Sequence, residues 1–138
     1  MARLIDEAVA ADVSLAICST SQMQEVNLLV EKMLGTKRKA RFSTILAGDD
    51  VSKKKPDPEI YNLASKRLSF EPSECVVIED NRNGLLAAKA AGMYCVVTTN
   101  GYSKDEDFSE ADLVVSELGD PPNVHITLQA ISNIDEKS

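Results

Sequence analysis

The stretch that most constrains the fold is residues 75–93, CVVIEDNRNGLLAAKAAGM. It opens with an apolar run, 75–78, preceded by Pro72, Ser73 and Glu74, and this reads as a short buried strand of the parallel kind. Glu79 and Asp80 follow at once, then a polar turn over 81–84, then an alanine-rich helix that stops at Gly92. In parallel α/β sheets ligands sit beyond the carboxyl ends of the strands, which is where these two acids fall. Adjacent carboxylates repel each other unless a cation lies between them. Mg²⁺ suits such a place, because it is held by one or two carboxylates together with phosphate and water. The same residues also fit an acidic strand end that merely starts a helix, with Asp80 or Asn81 as N-cap.

The rest of the chain repeats this alternation. Leu4, Ile5, Ala8 and Val9 form a helical stripe. Residues 13–18 read as a strand, followed by Ser19-Thr20-Ser21 and a helix over 22–34. That helix has Met23, Val26, Val30, Met33 and Leu34 at a 3.6-residue period and Gly35 as its stop. Residues 37–41 form a polar connection. A second strand lies within 42–47, and 48–55 is a polar loop. Asp57 and Pro58 then start a helix as N-cap and first residue, with Ile60, Leu63, Ala64 and Leu68 on one face. Further strands are expected over 94–98 and 113–115, joined by a loop that opens at Asn100-Gly101 and carries Asp105, Glu106 and Asp107. Val124, Leu128 and Ile131 mark a short last helix, and 133–138 a frayed tail. Strands alternating with helices predict one α/β domain over 1–138, with a Rossmann-like parallel sheet, helices on both faces and right-handed connections.

Composition excludes some classes. A net charge of −7 argues against a nucleic-acid partner, and Lys37, Arg38, Lys39 and Arg41 read as a solvated loop. The three cysteines, Cys18, Cys75 and Cys95, each lie inside an apolar run without metal-binding spacing, and read as buried reduced thiols. No apolar run is long enough to span a membrane, and no transit sequence is visible before Arg3.

Three polar clusters fall at one edge of the expected sheet. Ser19-Thr20-Ser21 stands between a strand and a helix, where hydroxyls and free N–H groups bind phosphate; a plain N-cap serine fits equally. Lys55, in Lys53-Lys54-Lys55-Pro56-Asp57-Pro58, is a point charge for phosphate, or part of a solvated loop. Glu79-Asp80 is the acid pair. The order hydroxyl, lysine, acid pair differs from that of a receiver-like signalling domain, where the acids come first.

In this order ICSTS, KKKPDPEIY and VVIEDNRNGLLAAKAAGM resemble the second, third and fourth motifs of the haloacid dehalogenase-like hydrolases. LIDEA, AGDDV, AAKAAGM and GYSKDEDF are similar to the CbbY-like sugar-phosphate phosphatases of plant plastids within that family. The resemblance implies a Rossmann-like core and Mg²⁺-dependent hydrolysis of a small phosphorylated metabolite, a sugar phosphate, through an aspartyl-phosphate. It implies phosphate binding by Ser19, Thr20 and Lys55, with Ser19 and Lys55 as catalytic residues, and metal ligation by Glu79 and Asp80. It also implies a chloroplast location; with no transit peptide in view, a cytoplasmic one stays open.

Two features depart from the family. Asn81 stands where relatives often have serine. No Asp-x-Asp-x-Thr motif is present, so the nucleophile, the central strand that carries it and the helical cap are not found. Asp49-Asp50 lies between the second and third motifs and is not a substitute. The expectation is a partial core that is inactive alone. The alternative is a non-catalytic form that binds phosphate or Mg²⁺, or pairs with another protein through its open sheet edge. His125, Tyr61 and Tyr102 are expected to be structural, packing or loop residues.

Overall fold

The computed structural model describes residues 2–99 and 106–115. Its elements run in chain order α1 (Ala2–Ala10), β1 (Ala16–Cys18), α2 (Met23–Lys39), β2 (Thr44–Leu46), α3 (Glu59–Leu68), β3 (Val76–Glu79), α4 (Arg82–Ala90), β4 (Tyr94–Thr98) and β5 (Leu113–Val115). The expected last helix at 124–131, the loop start at 100–105 with Tyr102, the tail and His125 lie outside the described residues.

Every strand pairing is parallel. β1 pairs with β2 in register Ile17 to Ile45. β4 lies between β3 and β5, with Val77 opposite Cys95 and Val97 opposite Val114. The strands form two sheets, β1-β2 and β3-β4-β5, and among the described residues β1 and β3 are not paired with each other. Among the described residues β1 and β3 are therefore edge strands, with a slot between the two sheets.

The period of two along each strand sorts the side chains onto two faces. Cys18, Leu46, Val77, Cys95 and Val97 face one core, shared with Ile60, Tyr61 and Ala64 of α3 and Leu85, Ala87 and Ala88 of α4. On the other face Ile17 and Ile45 meet Val26 and Val30 of α2, and Ile78 and Val96 meet Leu4 of α1. Helices therefore cover both faces, as parallel sheets require. The first core runs across both sheets, so the α3–α4 layer ties together what the slot separates. Leu46, Ile60, Leu85, Val96 and Val97 are fully buried, each contributing about 1.5–3 kcal/mol by leaving water.

Local differences from the expected elements have simple causes. β1 covers 16–18 rather than 13–18, and Val13 is exposed. Only residues beside β2 find a ladder partner, with Leu15 joined to Ser43 by one further backbone bond. Gly35 does break the helical path, at φ 82°, a conformation that glycine adopts without steric cost. Helical geometry then resumes through Lys39, where a connection was expected, and Arg38 forms a two-pronged bond to Asp6 of α1 at 3.0 and 2.9 Å. Met33, on the expected apolar stripe, is exposed together with Leu28 and Leu29, because α2 fully buries only the Val26–Val30 line. At α3 the helix begins one residue late. Pro58 takes the cap position, and the Asp57 carboxylate accepts from the Glu59 N–H at 3.0 Å. Cys95 is buried, but Cys18 and Cys75 are half-buried; all three are free thiols.

Candidate active site

The site is built at the carboxyl ends of β1 and β3, on either side of the slot. β1 ends at Cys18 and delivers Ser19. Backbone bonds hold the next loop: Ser19 N–H donates to the Leu46 carbonyl at 3.0 Å, and Gly48 N–H to the Ser21 carbonyl at 2.7 Å. A Cβ at Gly48 would overlap the Thr20 carbonyl oxygen, so the close approach of the two loops needs glycine there. The Ser19 hydroxyl accepts from Ser21 N–H at 3.1 Å, and Thr20 is exposed. At the start of α2 the Asp49 carboxylate accepts from Met23 N–H at 2.9 Å, while Asp50 accepts from Ala47 N–H at 2.8 Å. Both acids thus serve as local caps.

The loop from β2 to α3 brings Lys55 into the site. Its Nζ donates to the Cys18 carbonyl at 3.0 Å and to Oε2 of Glu79. Both side chains of this ion pair are buried, at 9% and 8% exposure. Removing one partner of such a pair strands an uncompensated charge. Ser52 and Glu59 brace the same loop: the Glu59 carboxylate accepts from Ser52 N–H at 2.8 Å, from its hydroxyl at 2.7 Å and from Lys53 N–H at 3.2 Å. The bonds from Ser52 hold the Glu59 carboxyl below its usual range.

Glu79 is turned inward. Its Oε2 also accepts from the Tyr61 hydroxyl, and its carboxyl lies so close to Gly84 that a Cβ there would overlap it. Tyr61 is therefore more than the packing residue its sequence position suggests. Its ring stacks against the Lys55 ammonium, 5.0 Å from Nζ to centroid. Burial, with the Glu79 charge beside it, pushes its phenol far above the ordinary value, so it remains a donor. Burial likewise pushes the Cys18 and Cys95 thiols up to about 12, with Lys55 partly opposing this at Cys18. Neither is an available thiolate.

Asp80 is exposed. Of the two capping candidates, Asn81 is the one used: its Oδ1 accepts from Gly84 N–H at 2.8 Å. Its amide donates to Asp80 Oδ1 at 3.2 Å. Arg82, at the first turn of α4, is locked by Glu110 at 3.0 Å and by the Asp107 carbonyl at 2.6 Å, and its N–H donates to Glu106 at 2.8 Å. The structure thus joins Lys55, Glu79 and the strand end before Ser19 by direct contact, and sets Asp80 next to them in the chain.

As a metal centre the donor set is sparse. Among the described residues no three His, Cys, Asp or Glu side chains converge on one point. Asp80 offers an unburied carboxylate, while Glu79 is buried, its Oε2 shared by Lys55 and Tyr61 and its Oε1 packed against Gly84. One or two carboxylates, with the other positions left to water and phosphate, fit Mg²⁺ better than an all-protein cage.

The parallel α/β architecture agrees with the sequence comparison: the profile of the haloacid dehalogenase-like hydrolases matches residues 1–98. The chain belongs to that family. It is similar to a CBBY-like protein of Arabidopsis thaliana, 51% identical over 128 residues that make up 93% of this chain and 40% of the relative. Among solved structures it resembles CbbY from Rhodobacter sphaeroides in complex with phosphate, with a TM-score of 0.83 and 37% identity, covering 94% of this chain and 56% of that one. A mutant of the same bacterial protein, in complex with xylulose-(1,5)bisphosphate, matches with a TM-score of 0.76 and 38% identity over 84% of this chain and 53% of that one. The chain spans about half or less of the length of these relatives.

Proposed function

We propose that this chain is the phosphate- and metal-binding portion of a Mg²⁺-dependent phosphatase that acts on a small sugar phosphate. The observation that carries this reading is Lys55, a buried ammonium shared between the ends of two parallel strands that face each other across a slot. Two of its three N–H donors are engaged, by Cys18 and Glu79, which leaves one for a phosphoryl oxygen. The Ser19 hydroxyl and the Thr20 loop supply further phosphate donors from β1. Asp80, the exposed carboxylate of the pair, would hold Mg²⁺ with Glu79 beside it in the chain, and the ion when bound neutralises charge on the phosphate. A parallel strand filling the slot would end beside Lys55 and bring the attacking aspartate. Its acyl phosphate is then released by water. Positioning and charge stabilisation supply most of the rate in such transfers, and those are the parts this chain carries. A plastid location goes with the likeness to plant relatives, and is tested by imaging a fluorescent fusion in leaf cells.

The test is to join the chain to the amino-terminal portion of the plant CBBY-like relative and assay it with Mg²⁺ and several sugar phosphates and bisphosphates. Turnover is expected, and Asp80→Asn is expected to weaken Mg²⁺ dependence and lower kcat by two orders of magnitude or more, about the weight of a lost electrostatic partner in the transition state. A folded chimera without turnover on any phosphate ester would reject the reading.

One observation favours a second reading. Among the described residues β1 and β3 each have an edge without a ladder partner, and open edges template strand addition. In that reading the chain is a non-catalytic partner for a strand of another protein. Isolation of a stable, inactive complex from cells would favour it.

A further inference from the structure

The contacts around Glu79 carry an inference about Tyr61, and it rests on the phosphate-binding reading of Lys55. We infer that Tyr61 is a positioning residue that fixes the Lys55 ammonium for phosphate by acting through Glu79. Tyr61 and Lys55 both donate to the same oxygen, Glu79 Oε2. Without the phenol, that oxygen has only the ammonium as a partner and draws Lys55 toward itself, away from the Cys18 carbonyl at 3.0 Å. With the phenol in place the oxygen is shared, and the ring face 5.0 Å from Nζ bounds the ammonium on another side. Gly84 closes the arrangement by packing against the Glu79 carboxyl, so the carboxylate cannot follow the lysine. The three groups come from three elements, α3, β3 and the loop before α3, and the burial of Tyr61 and Glu79, 4% and 9% exposed, keeps water from substituting for the hydroxyl.

The experiment is titration of the purified chain with inorganic phosphate, without Mg²⁺, by calorimetry, for the unmutated protein, Tyr61→Phe, Lys55→Met and the double variant. Tyr61→Phe keeps the ring and its packing and removes one hydrogen bond to a charged group. Affinity is expected to fall about tenfold, with the melting temperature changed by no more than a few degrees. In the Lys55→Met background Tyr61→Phe is expected to cause no further loss, because residues acting through one another are not additive; a purely structural role would add. Equal affinity for Tyr61→Phe and the unmutated chain, with Lys55→Met impaired, would overturn the role of Tyr61 and leave the phosphate site standing. Unchanged affinity in Lys55→Met, or no binding by the unmutated chain, would overturn both.

Discussion

Gly84 shows how one residue can run against its own helical propensity for the sake of the site. In an exposed helix interior, alanine is favoured over glycine by about 1 kcal/mol. At Gly84 a Cβ overlaps the Glu79 carboxyl. Gly84→Ala is therefore expected to destabilise the chain, by about 1–3 kcal/mol as for an overpacked core, and to displace Glu79 from Lys55. Thermal melting and phosphate titration of the variant check both halves; a raised melting temperature would mean that the helix alone decides. At this scale the sequence was legible in placing Lys55 and Glu79 at one sheet edge, where the structure joins them in an ion pair. It was not legible for Tyr61 or Gly84. A tyrosine on the apolar face of a helix reads as packing, and its hydroxyl partner lies 18 residues away. The close approach at Gly84 exists only once β3 and α4 have turned toward each other.

Among the elements, the loop before α3 is braced by a single half-buried carboxylate. Glu59 holds Ser52 and Lys53, and its carboxyl is depressed in the fold. A depressed carboxylate contributes stability that is present above its unfolded value and is lost as pH falls through the folded one. Below the ordinary value of 4.5 the bracing of the loop is expected to weaken, and the Ser52 and Lys53 amides to exchange faster than those of β4. Hydrogen exchange across that pH range, with Glu59→Gln as the comparison, checks it; protection that is indifferent to both would remove Glu59 from the account. Element type and order were readable from periodicity, since the strands are short apolar runs and the helices carry clear stripes. Their ends were less so. The length of β1 is set by β2 beside it, and the start of α3 by competition between Asp57 and Pro58 for the cap. In α2 the exposed Leu28, Leu29 and Met33 make the apolar stripe look broader than the face that is buried.

For the whole molecule, the α3–α4 core that crosses the slot is what holds two small sheets in one body. Leu46 sits in that core, fully buried at the end of β2, and Leu46→Ala is expected to cost about 2–5 kcal/mol. That is a large part of a typical domain's stability of roughly 5–15 kcal/mol, and denaturant melting measures it. The purified 138-residue chain is expected to show no phosphatase turnover with p-nitrophenyl phosphate and Mg²⁺ above that of a Glu79→Gln/Asp80→Asn control. Asp49, Asp50 and Asp57 are all committed to caps, and among the described residues the Ser19 hydroxyl is bonded to the Ser21 N–H rather than to a base. Steady turnover lost in the control would reveal a nucleophile within these residues. In the proposed function the slot turns activity into a question of supply. In that reading a parallel β-strand that enters it pairs with both β1 and β3. Folding, strand uptake and completion of the phosphate site then become a single linked equilibrium. At a hundred times its Kd, a fitting peptide would raise stability by about 2.7 kcal/mol, and the same dose–response curve would report both the melting temperature and the onset of catalysis.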